Sequence, residues 1–176
     1  MLVPKKIVLT GAPSTGKTSL LQKLSHPEVT CFEEVSRTLI ATAQKGGVVN
    51  PFVSNPMAFS EALFDQRLED YFSQKKTRVH LYDRGIHDVV AYLNHIREKI
   101  PETMLANCHK YPYDIVFILP PWKAIYTKDS ERLESFEEAV KLHQALITTY
   151  KKFGMNCIEI PKGSLEVRET FIQTHL

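Results

Sequence analysis

The residues Gly11-Ala12-Pro13-Ser14-Thr15-Gly16-Lys17-Thr18 match the pattern GxxxxGK[ST] without a gap. Their types and spacing suit one chemistry. A triphosphate needs many donors converging on it, and the backbone N–H groups of a tight loop supply them. Gly11 and Gly16 permit backbone angles and a close approach that a Cβ would block. Pro13 lacks an N–H, so the donors are expected mainly from Ser14 through Ser19. Lys17 is suited to reach the β- and γ-phosphates. The Thr18 hydroxyl is suited to ligate Mg²⁺, a hard cation that prefers oxygen. The expectation is that Gly11 to Ser19 cradle ATP or a related nucleoside triphosphate together with Mg²⁺.

Other chemistry-bearing residues fall just after apolar runs. Glu33 and Glu34 follow Val29 to Phe32, and Asp83-Arg84-Gly85 follow Arg78 to Tyr82. In an open α/β sheet, ligands bind beyond the carboxyl ends of the strands. Asp83 is read as a Mg²⁺ ligand, directly or through water, or as the acceptor of a proton from an attacking hydroxyl. Glu34 takes the second task if Asp83 takes the first. The blander readings are a helix cap for Asp83 and solvated carboxylates at a helix start for the Glu pair. Arg84, and Arg37 one turn past Glu34, can clamp an acceptor or a phosphate; a surface salt bridge suits Arg37 equally well. Lys123, Lys128 and Arg132 lie in the charged segment 122–134. That segment reads either as a mobile lid delivering a catalytic arginine, with Arg132 the choice, or as a solvated loop. Trp122, the sole tryptophan, reads as core packing ahead of a lid hinge or an adenine contact.

Strands and helices must alternate to position these residues. A strand over Lys6 to Thr10 leads into the glycine loop, and a helix follows from Lys17 to about Ser25, where Pro27 bars its continuation. A strand over Val29 to Phe32 precedes a helix from Glu34 to Lys45, stopped at Gly46-Gly47. Residues 46–56 read as a loop. Asn55 is suited to cap a helix over Met57 to Gln74, with Pro56 at its first position and Phe59, Leu63, Leu68, Tyr71 and Phe72 near one stripe. A strand over Arg78 to Tyr82 is followed by a helix over Ile86 to Lys99, and a fully apolar strand runs from Ile115 to Leu119. A long helix starting near Phe136, with Ala139, Val140, His143, Ile147 and Tyr150 inward, ends at Gly154. A strand over Cys157 to Ile160 and a helix capped by Ser164 close the pattern. The expected fold is α/β, a three-layer P-loop NTPase with a five-stranded, mainly parallel sheet, forming a single domain over residues 1–176.

Bulk properties bound the function. With 176 residues, a net charge of +2 and a pI near 8.4, the chain is too weakly basic for nucleic acid or an anionic membrane to be its main partner. No apolar run approaches the roughly 20 residues that span a bilayer. Cys31, Cys108 and Cys157 are scattered and form no CxxC pair, so neither zinc nor a disulfide framework is suggested. Cys31 and Cys157 are expected as small buried residues of strands, in a reduced, cytoplasmic protein.

At this point the chain resembles a known family of short P-loop ATPases and kinases, the one that contains the ribosylnicotinamide-kinase domain of the NadR regulators and is catalogued as an AAA-like domain. The resemblance rests on an ordered set: Ile7 to Ser19; Glu33-Glu34-Val35-Ser36-Arg37; Phe64-Asp65-Gln66; Tyr82-Asp83-Arg84-Gly85 followed by Ala91-Tyr92-Leu93; Tyr113 to Pro121; Asp129-Ser130-Glu131-Arg132; and Ile160-Pro161. It implies a nucleoside- or nucleotide-kinase-like fold with a lid. It places Asp83 and Arg84 at the position of a DR[ST] motif and supports Glu34 as an acceptor-side carboxylate. Gln66 falls where such kinases often have a glutamine for the acceptor base, though it also suits a surface position. These 176 residues include no adenylyltransferase or DNA-binding domain and are too short for a ring-forming motor, so neither role is expected. The absence of an Asn-Lys-x-Asp signature favours ATP over GTP. The leading expectation is a phosphotransferase that moves the ATP γ-phosphate to a small hydroxyl acceptor such as a nucleoside. The alternative is a nucleotide-dependent regulatory ATPase with slow turnover or none. An enclosed pocket around Glu34, Arg37, Gln66 and Arg84 would suit the first, and a filled surface the second.

Overall fold

In the computed structural model, which describes residues 3–48, 51–126 and 135–176, the run around Ile7 to Leu9 becomes strand β1 (Lys5–Gly11). β2 (Val29–Phe32), β3 (Val79–Asp83), β4 (Ile115–Leu119) and β5 (Cys157–Glu159) join it in a five-stranded sheet of order β2-β3-β1-β4-β5. Every pairing is parallel, and β1 lies at the centre with Leu9 opposite Asp83 on one side and Phe117 on the other. Parallel strands require crossovers, and each one here carries helix. α1 (Lys17–Lys23) links β1 to β2, and α2 (Ser36–Lys45), α3 (Pro51–Ser54) and α4 (Pro56–Tyr71) lead from β2 to β3. α5 (Ile86–His95) and α6 (Glu102–Lys110) lead to β4, α7 (Phe136–Lys152) precedes β5, and α8 (Leu165–Gln173) follows it.

The strand pleat sends alternate residues to opposite faces. Val8, Tyr82, Val116 and Ile118 pack with Phe64 of α4, Val89 and Leu93 of α5, Met104 of α6 and Leu146 of α7. Ile7, Leu9, Leu81, Phe117 and Leu119 pack on the other face with Leu20 and Leu21 of α1 and Ile172 of α8. The expected three-layer α/β sandwich is therefore present, with its core divided between the two faces of the sheet. Among the described residues, no helix is long and apolar enough to cross a membrane.

Several boundaries differ from expectation. α2 starts at Ser36 rather than Glu34, which leaves Glu34 on the connection beyond the carboxyl end of β2. The expected loop over 46–56 contains the single turn α3, whose first residue, Pro51, has a backbone angle already suited to a helix start. α4 ends at Tyr71 instead of Gln74, and Phe72 is 47% exposed rather than on the inward stripe. Asn55 caps α4 as expected, accepting from the Ala58 N–H at 3.0 Å. α5 stops at His95, short of Lys99: Arg97 takes a left-handed φ of 61°, and the Glu98 N–H returns to the Leu93 carbonyl at 2.9 Å. α6 was not anticipated at all. Val140 on α7 is exposed rather than inward. Cys31 and Cys157 are half-buried and only Cys108 is fully buried; all three are free thiols.

Candidate functional site

The phosphate loop leaves the central strand with three positive backbone angles, at Gly11 (φ 145°), Ser14 (φ 60°) and Gly16 (φ 85°). A Cβ on Gly11 would stand 2.6 Å from the Leu119 carbonyl of β4, so the loop can turn this close to the sheet only with glycine there. The Thr15 hydroxyl donates to the Ala12 carbonyl at 2.9 Å and closes the loop on itself. Lys17, at the start of α1, is buried and donates to the Gly11 and Ala12 carbonyls, each at 3.0 Å. Burial pushes its ammonium down to about 7, and Arg84 adds repulsion; Asp83, Glu34 and Asp88 pull the other way. Thr18 and Ser19 are exposed on the first turn of α1.

The end of β3 supplies the second half of the site. Asp83 is 5% exposed, and its Oδ1 has no hydrogen-bond partner among the described residues. Burial raises its proton affinity, Lys17 lowers it and Glu34 raises it again. Arg84 takes a left-handed φ of 73°, unusual for a side chain with a Cβ, and its N–H bonds the Leu9 carbonyl at 3.1 Å. That turn carries its side chain to Glu34, where Nε donates to Oε2, while Nη1 stands 3.5 Å from Asp88 Oδ1. From α4, Arg67 donates through Nη2 to Glu34 Oε1 at 2.8 Å and through Nη1 to the Gly85 carbonyl at 3.2 Å. Burial favours a neutral Glu34, but Arg84, Arg67 and Lys17 outweigh it and hold the carboxyl at about 2. The same carboxylates raise Arg84 above its ordinary value against the opposing effect of burial.

A supporting layer fixes this turn. Asp88, in the first turn of α5, accepts from the Gly85 N–H at 2.9 Å and the Tyr150 hydroxyl at 2.6 Å, and also from the Thr10 hydroxyl of β1. A Cβ on Gly85 would lie 2.7 Å from the Tyr113 ring and 2.9 Å from the Tyr150 hydroxyl, so this glycine is a packing requirement.

The structure thus brings Lys17, Glu34, Asp83 and Arg84 together beside the loop Gly11 to Ser19. It does not bring Gln66 to them: its Nε2 donates to Glu69 on the same helix at 3.1 Å. Glu33 is exposed. The side chain of Arg37, along with Lys128 and Arg132, lies outside the described residues. Trp122 belongs to neither apolar cluster. It lies under the Arg168 guanidinium, 5.1 Å from its ring centroid, which corrects the reading of plain core packing. Arg67, Asp88 and Arg168 were not expected at the site, and Tyr150 was expected only as an inward residue of its helix, not as a partner of Asp88. Arg67 did leave a signal, a charge at the i+3 position within the stripe Phe64, Leu68 and Tyr71.

No cluster of three or more His, Cys, Asp or Glu side chains suited to a metal occurs among the described residues. The residues present still fit Mg²⁺, which takes one or two protein oxygens and keeps the rest for water and phosphate. The unpartnered Asp83 Oδ1 and the exposed Thr18 are oxygen donors of that kind. A groove of about 480 Å³ lined by Lys5, Lys23, Val29 and Arg78 lies at the amino ends of the strands, away from the loop. Ligand chemistry in parallel sheets belongs to the carboxyl ends, so the loop rather than this groove marks the site.

A family model described as an AAA domain matches residues 6–168. The chain belongs to the AAA-domain family. The resemblance to short P-loop kinases drawn from the sequence holds for this AAA domain in its solved neighbours as well. Deoxyadenosine kinase from M. mycoides with bound dATP superposes at TM-score 0.62 with 13% identity, covering 97% of this chain and 98% of that one. Thymidylate kinase from Candida albicans reaches TM-score 0.67 with 18% identity, covering 98% and 90%. The NadR protein in complex with NAD and AMP-PNP reaches TM-score 0.68 with 17% identity, covering 98% of this chain and 48% of that one. At these identities the likeness establishes the fold that this chain shares with these kinases. No match is found among curated proteins.

Proposed function

We propose that this AAA domain, taken as one unit over residues 1–176, binds ATP with Mg²⁺ on the loop Gly11 to Ser19 and moves the γ-phosphate to a small hydroxyl acceptor such as a nucleoside. One observation carries the reading: Lys17, Arg84 and Arg67 converge with Glu34 and the unpartnered Asp83 beside the loop. Phosphoryl transfer needs positioning and charge stabilisation more than covalent chemistry, and this group supplies both. Lys17 exchanges the Gly11 and Ala12 carbonyls for the β- and γ-phosphates. Thr18 and Asp83 hold Mg²⁺, which, when bound, neutralises charge on the phosphates. Arg84 stabilises the transferring group, and Arg132 adds a second guanidinium from the lid. Glu34, held at about 2, is a weak proton acceptor and serves to orient the acceptor hydroxyl, whose proton passes to the transferred phosphoryl group as ADP leaves. Arg37 contributes to acceptor binding, whereas Gln66, paired with Glu69 on its own helix, does not.

The test is to incubate the protein with Mg-ATP and a nucleoside panel and measure acceptor-dependent ADP release. Silence across a broad metabolite panel overturns the reading. One observation favours the second reading, a regulatory ATPase: both Glu34 oxygens are already taken by arginines, so the acceptor side is filled. Tight ATP binding with negligible turnover, and a partner retained only with ATP, would select it.

A further inference from the structure

Arg168 lies on α8, 153 residues from Thr15 in sequence, yet its Nη1 donates to the Thr15 carbonyl at 3.0 Å. The side chain is 5% exposed, and its Nη1 stands 3.1 Å from where a Cβ on Gly16 would be. One face of its guanidinium covers the Trp122 ring. Among the described residues no carboxylate pairs with it, and its buried Nε has no hydrogen-bond partner. A buried cation without a counter-charge is costly, whereas an anion arriving nearby offsets the cost. In a trans peptide the carbonyl and the following N–H point in opposite directions. A guanidinium that holds the Thr15 carbonyl toward α8 therefore turns the Gly16 N–H to the opposite side of the loop, away from α8.

We propose that Arg168 is a positioning residue for the phosphate loop: anchored on Trp122, it fixes the Thr15–Gly16 peptide so that the Gly16 N–H is preset as a phosphate donor. This rests on the reading of Gly11 to Ser19 as a phosphate cradle. It makes α8 part of the nucleotide site, although no residue of α8 belongs to the loop. Trp122, the chain's single tryptophan, then reports loop occupancy through its contact with Arg168.

The experiment titrates the wild-type protein, Arg168→Met and Arg168→Lys with Mg-ADP and Mg-ATP, by calorimetry and by tryptophan emission. The wild type is expected to bind both nucleotides with a change in emission. Arg168→Met should bind both about tenfold more weakly and lose most of the emission change, with its circular dichroism intact. Arg168→Lys should regain part of the affinity, since an ammonium can still donate to the Thr15 carbonyl. The proposal is overturned if folded Arg168→Met binds as the wild type does, or if Arg168→Lys binds no better than Arg168→Met at equal melting temperature. Should Arg168→Met fail to fold, Arg168→Lys decides alone: affinity about threefold below wild type sustains the proposal, and wild-type affinity overturns it. A wild-type protein that binds neither nucleotide sinks the cradle reading itself, and the role of Arg168 with it. Normal wild-type binding beside an indifferent Met variant sinks only the role of Arg168.

Discussion

Burial disfavours the proton on Lys17, and under the proposed reading a bound polyphosphate would favour it. With its ammonium lowered to about 7, the side chain is largely neutral in the free protein above that pH. A polyphosphate restores the charge, so nucleotide binding should take up a proton between about pH 7 and 10 and not below. Calorimetry at about pH 8.5 in buffers of different ionisation enthalpy measures this uptake, and it should vanish near pH 6. Lys17→Ala should weaken nucleotide binding about a hundredfold while keeping the fold, a loss read in the same titration. Asp83→Asn should keep much of the binding and lose turnover, measured as ADP release; unchanged turnover would remove Asp83 from the catalytic machinery, since the cap of α5 is made by Gly85 and Asp88 rather than by Asp83. Glu34 has the opposite linkage to that of a buried lysine. Its pKa falls from 4.5 to about 2 on folding, so its stabilisation is complete above about 4.5 and is lost as pH falls through about 2. Glu34→Gln at neutral pH leaves Arg67 and Arg84 buried without their carboxylate and should cost about 3 kcal/mol in chemical denaturation.

At the scale of elements, the turn from β3 into α5 is the most constrained piece of the site. It combines the left-handed Arg84, the packed Gly85 and the Asp88 cap. Gly85→Ala should drive a methyl into Tyr113 and Tyr150 and lower stability by about 1–3 kcal/mol, seen as a reduced melting temperature. Strands and the phosphate loop were legible in the sequence because their signals are local: apolar runs, glycine spacing and caps such as Asn55 and Ser164. β2 and β4 appear with the expected bounds for that reason. Arg67 was not legible as a partner of Glu34, because 33 residues separate them and nothing in either neighbourhood names the other. The same holds for Tyr150 and Asp88, 62 apart. Helix ends slipped where a left-handed residue such as Arg97, rather than glycine or proline, stopped the turn.

For the whole molecule, the central strand precedes both of its partners in sequence. β1 has no sequence neighbour among its partners: Lys5 to Leu9 pair with Val79 to Asp83, and Ile7 to Gly11 with Ile115 to Leu119. Pairings so distant in sequence are slow to form and leave a segment unprotected meanwhile. During synthesis, the glycine-rich turn therefore emerges from the ribosome long before either flank that shapes it. Nascent chains arrested before residue 119 should be sensitive to protease throughout β1 and the loop and blind to nucleotide, and both properties should reverse together only once α7 and α8, which cover the two faces of the sheet, have emerged.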